Sequence, residues 1–350
     1  MKTVFNLEAL IRPTIKKLQS YSSARDEYQN DMENMVFLDA NENPFENGIN
    51  RYPDPQQIEL KTVLAEIKHI PIPIAQILLG NGSDEVLDLI FRAFCEPNTD
   101  NVIILPPTYG MYNVLANINA VEIKKVELSE AFQPQVEEIL KVANKNSKIL
   151  FLCSPNNPTG NRFKSDDIET ILNQFKGLVV IDEAYIDFSE QESWISKLGE
   201  FPNLIVTQTL SKAYGMAGIR LGICYASVNI ISILNKIKPP YNVNELTQKK
   251  AIELLKNKSI TKNQIENILE ERALLISKLK KINFVLKIYP TDANFVLVKV
   301  DNATKRYNQL IKKGIVVRNR TSQVGCENCL RLTVGTSKEN NILINTLKSI

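Results

Sequence analysis

Four short apolar runs constrain the fold of this chain more than any other feature: NVIIL (101–105), KILFLC (148–153), GLVVID (177–182) and NLIVTQ (203–208). They are rich in β-branched residues and apolar without alternation, the pattern of strands buried on both faces. Turn residues end each run, and helical patterns such as YGMYNVLANI and KSDDIETILNQF follow. Buried strands alternating with helices imply βα units around a mostly parallel sheet, an α/β fold. The 350 residues give material for two domains. The pattern changes near KPPYNVNELTQ (238–248). Beyond it come a long amphipathic helix, TKNQIENILEERALLISKLKKI, the strand-like runs FVLKIYP, NFVLVKV, GIVVR and CLRLTVG, and a closing helix. The reading is a large domain over residues 31–240, a smaller α+β domain over 241–350, and an arm, residues 1–30, that packs with the smaller domain.

Charge narrows the function. Lys and Arg total 42 against 39 for Asp and Glu, a net charge of +3. That is too balanced for a surface devoted to nucleic acid or anionic membrane. The first twenty residues lack the apolar core of an export signal, and no window has the apolar length of a membrane span. Five scattered cysteines then suggest a reduced, cytoplasmic protein.

In open α/β sheets, ligands bind beyond the carboxyl ends of the strands. There PPTYGMY offers Tyr109, SPNNPTG offers Asn157, GLVVID ends in Asp182 with Tyr185 three residues on, and TLSK offers Lys212. An aromatic, an amide, a carboxylate and an amine at one rim meet the needs of pyridoxal 5′-phosphate. A lysine forms a Schiff base with its aldehyde, and a carboxylate keeps its pyridine nitrogen protonated. Asn157 and Tyr185 can hydrogen-bond the phenolic oxygen, and Tyr109 can stack on the ring. GNGSDEVLDLIFRAF (80–94) reads as a glycine loop opening a helix, with Ser83 as N-cap, and a helix start is an anion site. Thr209, Ser211 and Arg220 are further phosphate donors.

Each residue alone has a plainer reading. Lys212 could be a solvated side chain, Asp182 a helix cap and Asn157 a turn residue. Together, each after its own buried strand, they favour the cofactor. A dinucleotide fingerprint fails because Glu85 stands where G-x-G-x-x-G needs glycine. Cys326 and Cys329 form a C-x-x-C without the second pair that zinc requires, and read as an apolar pair at a strand start. His69 is the single histidine, so no metal site or histidine triad is expected. Arg318 and Arg331 lie at or inside apolar strand patterns, where an unpaired arginine is costly, so an anion is their expected partner.

TLSKAYGMAGIRLG, SPNNPTG, DEAY and the GNGSDE loop resemble the class I/II, fold-type I pyridoxal-phosphate-dependent aminotransferases. LDANENPF (38–45), RYPDP (51–55), KPPYNVN (238–244), SYSSARDEY (20–28) and GIVVR followed by CLRLTVGT are similar, more narrowly, to the histidinol-phosphate aminotransferases among them. The likeness runs from about residue 12 to 336. It implies a mostly parallel seven-stranded sheet sandwiched by helices, with a smaller α+β domain. It implies that Lys212 is the Schiff-base lysine, Asp182 the pyridinium partner, Asn157 and Tyr185 the groups facing the phenolic oxygen, and Tyr109 the stacking ring. Ser83, Asp84, Thr209, Ser211 and Arg220 would form the phosphate cup, joined by Tyr52 from the partner subunit of a homodimer with shared active sites. Arg331 would grip the substrate's anionic end, helped by Arg318, Tyr21 and Asn157. The implied substrates are histidinol phosphate and glutamate or 2-oxoglutarate, in histidine biosynthesis. Two positions depart from the family: Ser20 where proline often precedes the early tyrosine, and Asn319 where aspartate often follows the GIVVR arginine. Aminotransferases of aromatic amino acids, phosphothreonine decarboxylases and C–S lyases of the same fold are the alternative readings.

Overall fold

A computed structural model describes residues 5–19, 36–67 and 73–350. Among these, eleven strands form two sheets. The larger contains β1 (Ile77–Asn81), β2 (Asn101–Ile104), β3 (Glu122–Lys125), β4 (Ser147–Cys153), β5 (Leu178–Asp182), β6 (Leu204–Thr209) and β7 (Leu221–Ala226). Their order is β1-β7-β6-β5-β4-β2-β3. Only β7 runs against its neighbours; the other pairings are parallel. The expected seven-stranded, mostly parallel sheet is therefore present.

The apolar runs lack alternation because both faces of this sheet are covered. Leu150 and Leu152 of β4, Val179 and Ile181 of β5, and Leu204 and Val206 of β6 enter one buried layer. Ile149, Phe151, Leu178, Val180 and Ile205, the residues between them, enter the other. Successive strand side chains point to opposite faces, so no position in these runs is left to water. Helices Ile58–Ile67, Val136–Val142 and Ser165–Gln174 supply the first layer. Gly82–Phe94, Met111–Ile118 and Val228–Ile237 supply the second.

The smaller sheet joins β8 (Val285–Ile288), β9 (Phe295–Val300), β10 (Arg318–Asn319) and β11 (Cys329–Thr333), all antiparallel, in the order β10-β11-β9-β8. Val296, Val298, Val300, Leu330 and Leu332 pack with Leu275, Leu279, Leu310, Leu343 and Leu347 from helices Lys258–Leu279, Ala303–Lys312 and Ser337–Ser349. Phe295, Leu297 and Cys329 alternate with these and join clusters that contain large-domain residues. One face thus holds the smaller domain together and the other turns toward the larger.

Four expectations are corrected. Residues 241–257 belong with the large domain: Val243, Ala251, Ile252 and Leu255 share a buried cluster with Leu60 and Leu64. The smaller domain therefore starts at helix Lys258–Leu279, not at residue 241. The described part of the arm, residues 5–19, packs on the large domain instead of the smaller one. Leu10 and Ile11 enter its second layer, the Arg12 N–H donates to the Ala93 carbonyl at 3.1 Å, and the Arg12 side chain pairs with Glu96 at 3.3 Å. In GIVVR only Arg318 is strand, and Val316 is 79% exposed. Ser83 lies inside the first turn of Gly82–Phe94, whose N-cap position is Asn81.

Leu64 is wholly buried, in the layer shared by helices Ile58–Ile67 and Glu245–Leu255. Leu64→Ala should cost about 2–5 kcal/mol, as large-to-small core changes do. Val316→Ala should stay within about 0.5 kcal/mol. Urea unfolding followed by circular dichroism measures both, and equal effects would contradict the packing described.

Candidate active site

Strands β4, β5 and β6 end side by side, with Cys153 opposite Asp182 and Asp182 opposite Thr207. The segments that follow turn across this rim and enclose a pocket of about 630 Å³, mouth included. It brings together Ser83, Asp84, Tyr109, Asn157, Asp182, Tyr185, Thr209, Ser211, Lys212 and Arg220. Cys153 and Ala184 complete its wall.

Asp182 is buried at the pocket floor. Burial raises its proton affinity, and hydrogen bonds to the carboxylate oppose that rise. The Tyr112 hydroxyl donates to Oδ2 at 2.8 Å and the Ala184 N–H to Oδ1 at 3.2 Å. Among the described residues Asp182 has no ion-pair partner, and a buried carboxylate in that state favours an incoming cation. Tyr109 stands beside Tyr112, ring centroids 5.6 Å apart, and donates its hydroxyl to Asp84 at 3.0 Å. Asp84 therefore fixes the Tyr109 ring; its backbone N–H, not its carboxylate, suits an anion.

The opposite end of the pocket is built by close backbone approach. A Cβ on Gly222 would lie 2.2 Å from the Ser83 nitrogen, and one on Gly82 2.5 Å from an Arg220 guanidinium nitrogen. Gly82 also has φ +78°, where L side chains are strained. Two glycines thus let β7 and Arg220 press against the start of helix Gly82–Phe94, whose first-turn N–H groups lack intrahelical partners. The Gly82 N–H donates to the Arg220 carbonyl at 3.0 Å, and Arg220 sits at φ 55°. Thr209 Oγ1 accepts the Ser211 N–H at 3.1 Å and lies 3.0 Å from Ser211 Oγ. Hydroxyls, a guanidinium and a helix start together make an anion cup.

Lys212 lies between these ends, its Nζ 5.8 Å from the Tyr185 ring centroid. Burial lowers its proton affinity most, Arg331 and Arg220 lower it further, and Asp182 and Asp84 oppose them. Arg331, from β11 of the smaller domain, donates to Asn157 Oδ1 at 2.5 Å and stands 5.1 Å over the Phe295 ring. Phe295 meets Tyr185 edge-on at 5.2 Å, so an interdomain chain of contacts closes one wall. Arg318 is the direct cross-strand partner of Arg331. Tyr52 is outside this pocket: it is 51% exposed and stacks on Tyr241 at 4.5 Å. Tyr21 lies outside the described residues.

Tyr112 and Cys153 were missed in the sequence. Tyr112 follows Tyr109 by three residues in a helix-opening segment, a spacing that puts both on one side. Cys153 is the last residue of the KILFLC run, the position its neighbour Asp182 holds in β5. Glu85, which excluded the dinucleotide reading, accepts from the Asn81 N–H at 2.5 Å and the Asn242 amide at 2.9 Å. It ties the glycine loop to KPPYNVN.

Residues 27–347 match the aminotransferase class I and II family. The chain belongs to that family. It is thus a transaminase, and its similarity to individual class I and II aminotransferases extends over nearly its full length. It is 64% identical over 345 residues to a histidinol-phosphate aminotransferase of Flavobacterium johnsoniae, covering 98% of both chains. The histidinol-phosphate aminotransferase structure from Clostridium acetobutylicum aligns with a TM-score of 0.79 at 25% identity, over 86% of this chain and 90% of that one. The Sinorhizobium meliloti structure, in complex with pyridoxal-5′-phosphate, aligns with a TM-score of 0.77 at 23% identity, over 85% and 82%. Among the described residues no helix is long and apolar enough to cross a membrane.

The lowered proton affinity of Lys212 is open to measurement in the protein without added ligand. Acylation of Lys212 by an amine-selective reagent, followed by peptide mass spectrometry across pH, should show a midpoint below the ordinary lysine value of 10.5. A neighbouring cation disfavours the ammonium, so Arg331→Gln should move the midpoint up. Asp182→Asn removes an opposing charge and should move it down. An unshifted midpoint in all three proteins would contradict the electrostatics described.

Proposed function

We propose that this aminotransferase uses pyridoxal 5′-phosphate to exchange an amine between histidinol phosphate and 2-oxoglutarate, giving imidazole acetol phosphate and glutamate. The observation that carries the proposal is one pocket with three separated features: a buried carboxyl lacking a countercharge, a lysine of lowered proton affinity, and an anion cup. These residues fit the cofactor. Asp182 would hold the proton of the pyridine nitrogen, and Tyr112 would keep the carboxylate aimed at it. Asn157 and Tyr185 would face the phenolic oxygen, and Tyr109 the ring. Ser83, Thr209, Ser211, Arg220 and the helix start would bind the phosphate, with the Asp84 backbone beside them. When bound, the group supplies an electron sink for the pair left at the substrate's α-carbon.

Lys212 would hold the cofactor's aldehyde carbon, and its Nζ would take the proton from the α-carbon of the amine donor and deliver one to the α-carbon of the amine acceptor. Its lowered proton affinity makes the neutral amine available at lower pH than an ordinary lysine would. Phe295 and Tyr185 shield this path from water. Arg331 offers a planar fork that binds glutamate's carboxylate or the phosphate of histidinol phosphate in the same position, with Arg318 and Tyr21 as helpers. Two substrates that differ at their anionic ends can thereby share one site. Exposed Tyr52, stacked on Tyr241 outside its own pocket, has the partner subunit's cofactor phosphate as its target in a homodimer. Five free, buried thiols suit a reducing cytoplasm.

Lys212→Ala, supplied with cofactor, should lose glutamate-dependent turnover by several orders of magnitude; near-normal rates would sink the assignment. In single half-reactions followed by the absorbance of bound cofactor, the wild-type protein should convert histidinol phosphate far better than unphosphorylated histidinol. Equal rates would favour an aminotransferase of broader aromatic specificity. Gly222→Ala pushes β7 away from the Ser83 nitrogen, so its cofactor should dialyse away faster, while fold and Lys212 remain. Unaltered retention would show that the close approach does not shape the phosphate cup.

A further inference from the structure

β10, the residue that follows it and β11 carry three arginines on one face of the smaller sheet. Arg318 pairs directly with Arg331, and the Arg320 N–H donates to the Cys329 carbonyl at 2.9 Å, continuing the ladder. Strand alternation puts Arg318 and Arg320 on the same face, and Arg331 joins them across the ladder. Asn319, between the first two, points the other way and donates to Thr304 at 3.2 Å. The arginine face is the one that turns toward the large domain, since Cys329 joins that domain's cluster while Leu330 and Leu332 fill the smaller core.

Like charges opposite one another destabilise a sheet unless something offsets them. Among the described residues no carboxylate pairs with any of the three. The Nε atoms of Arg320 and Arg331 are both buried and lack hydrogen-bond partners. Burial together with Arg331 and Arg318 pushes the Arg320 guanidinium down to about 10. Arg320 and the phenol of Tyr185, a pocket residue, each act on the other's charge. A compact set of cations with unused buried donors, aimed at one pocket wall, is what a doubly charged anion requires.

We infer that Arg320 is a third cation for the anionic end of the phosphorylated substrate, and that it sets the preference for a phosphate ester over a carboxylate. This deepens the reading given above and rests on it. A phosphate monoester carries up to two charges and three acceptor oxygens, against one charge and two oxygens for glutamate's α-carboxylate, which holds the same place on the amine-bearing carbon. Arg331 and Arg318 suffice for the carboxylate, and Arg320 takes the extra charge.

The test uses the cofactor-loaded enzyme and its two half-reactions. Arg320→Gln should raise KM for histidinol phosphate about tenfold to hundredfold, the effect of losing a charged hydrogen bond, with kcat less affected. KM for glutamate should rise by at most about threefold. The gap between wild type and variant should narrow as pH falls below about 6, where the phosphate dianion takes up a proton and keeps one charge. Arg320→Lys should recover part of the loss. An equal rise for both substrates, or a loss independent of pH, would mean that Arg320 only supports the fold and would overturn the inference. So would an unchanged KM for histidinol phosphate. If the wild type converts glutamate but not histidinol phosphate, the substrate reading fails. Inorganic phosphate as inhibitor of the glutamate half-reaction then decides the role of Arg320: weaker inhibition of Arg320→Gln than of wild type upholds it as an anion site, and equal inhibition removes it.

Discussion

A carboxyl group without a countercharge, buried at the end of a central strand, is the constraint around which this protein is arranged. Asp182 is held in an environment that favours its neutral form, and the fold answers with hydrogen bonds from Tyr112 and Ala184. Neither brings a full positive charge. Such a site is unfavourable by itself and becomes favourable when a cation binds beside it. Tyr112 reaches Asp182 from the second layer of helices, so the packing that covers the sheet also fixes the carboxylate. Fold packing and the proposed cofactor site meet in this one residue.

The far end of the pocket is fixed by main chain. Gly82 and Gly222 leave no Cβ between β7 and the helix start, and the guanidinium of Arg220 lies against Gly82. In the proposed reading an anion held there and a cation held at Asp182 would mark the two ends of a flat molecule, with Lys212 between them. Distances along a sheet edge are set by strand spacing, which side chains cannot adjust. A parallel sheet whose neighbouring strands end at one rim is therefore suited to hold a rigid ligand.

Continuous apolar runs made the central strands legible in the sequence, because burial on both faces removes every polar position. Asn157, Asp182 and Lys212 were legible for the same reason: the residues after such a run stand at the rim. The domain boundary was not. Helix Glu245–Leu255 is amphipathic, and an apolar stripe does not say which of two cores will take it; Leu60 and Leu64 decide. The arm failed alike, because Leu10 and Ile11 fit any apolar surface until Arg12 finds Ala93 and Glu96. GIVVR had the composition of a strand, yet the preceding β11–β9–β8 order leaves it at an edge, where only Arg318 and Asn319 pair. Tyr112 was hidden by its chemistry: a buried hydroxyl acts through a partner that sequence does not place.

Charge in the finished site is sorted by position. Asp182 and Asp84 lie toward the large-domain floor, while Arg318, Arg320 and Arg331 stand on the facing edge of the smaller sheet. Lys212 is pulled both ways, its ammonium stabilised by the two carboxylates and opposed by Arg331 and Arg220. In the proposed reading, a substrate with an amine at one end and an anion at the other would lie with its amine beside Lys212 and its anion under the arginines. The arginines stay tolerable before it arrives because Arg331 rests over Phe295 and bonds Asn157, and Arg318 lies at an exposed edge. Of the three arginines, Arg320 and Arg331 each keep a buried Nε donor without a partner among the described residues, and such donors favour an anion.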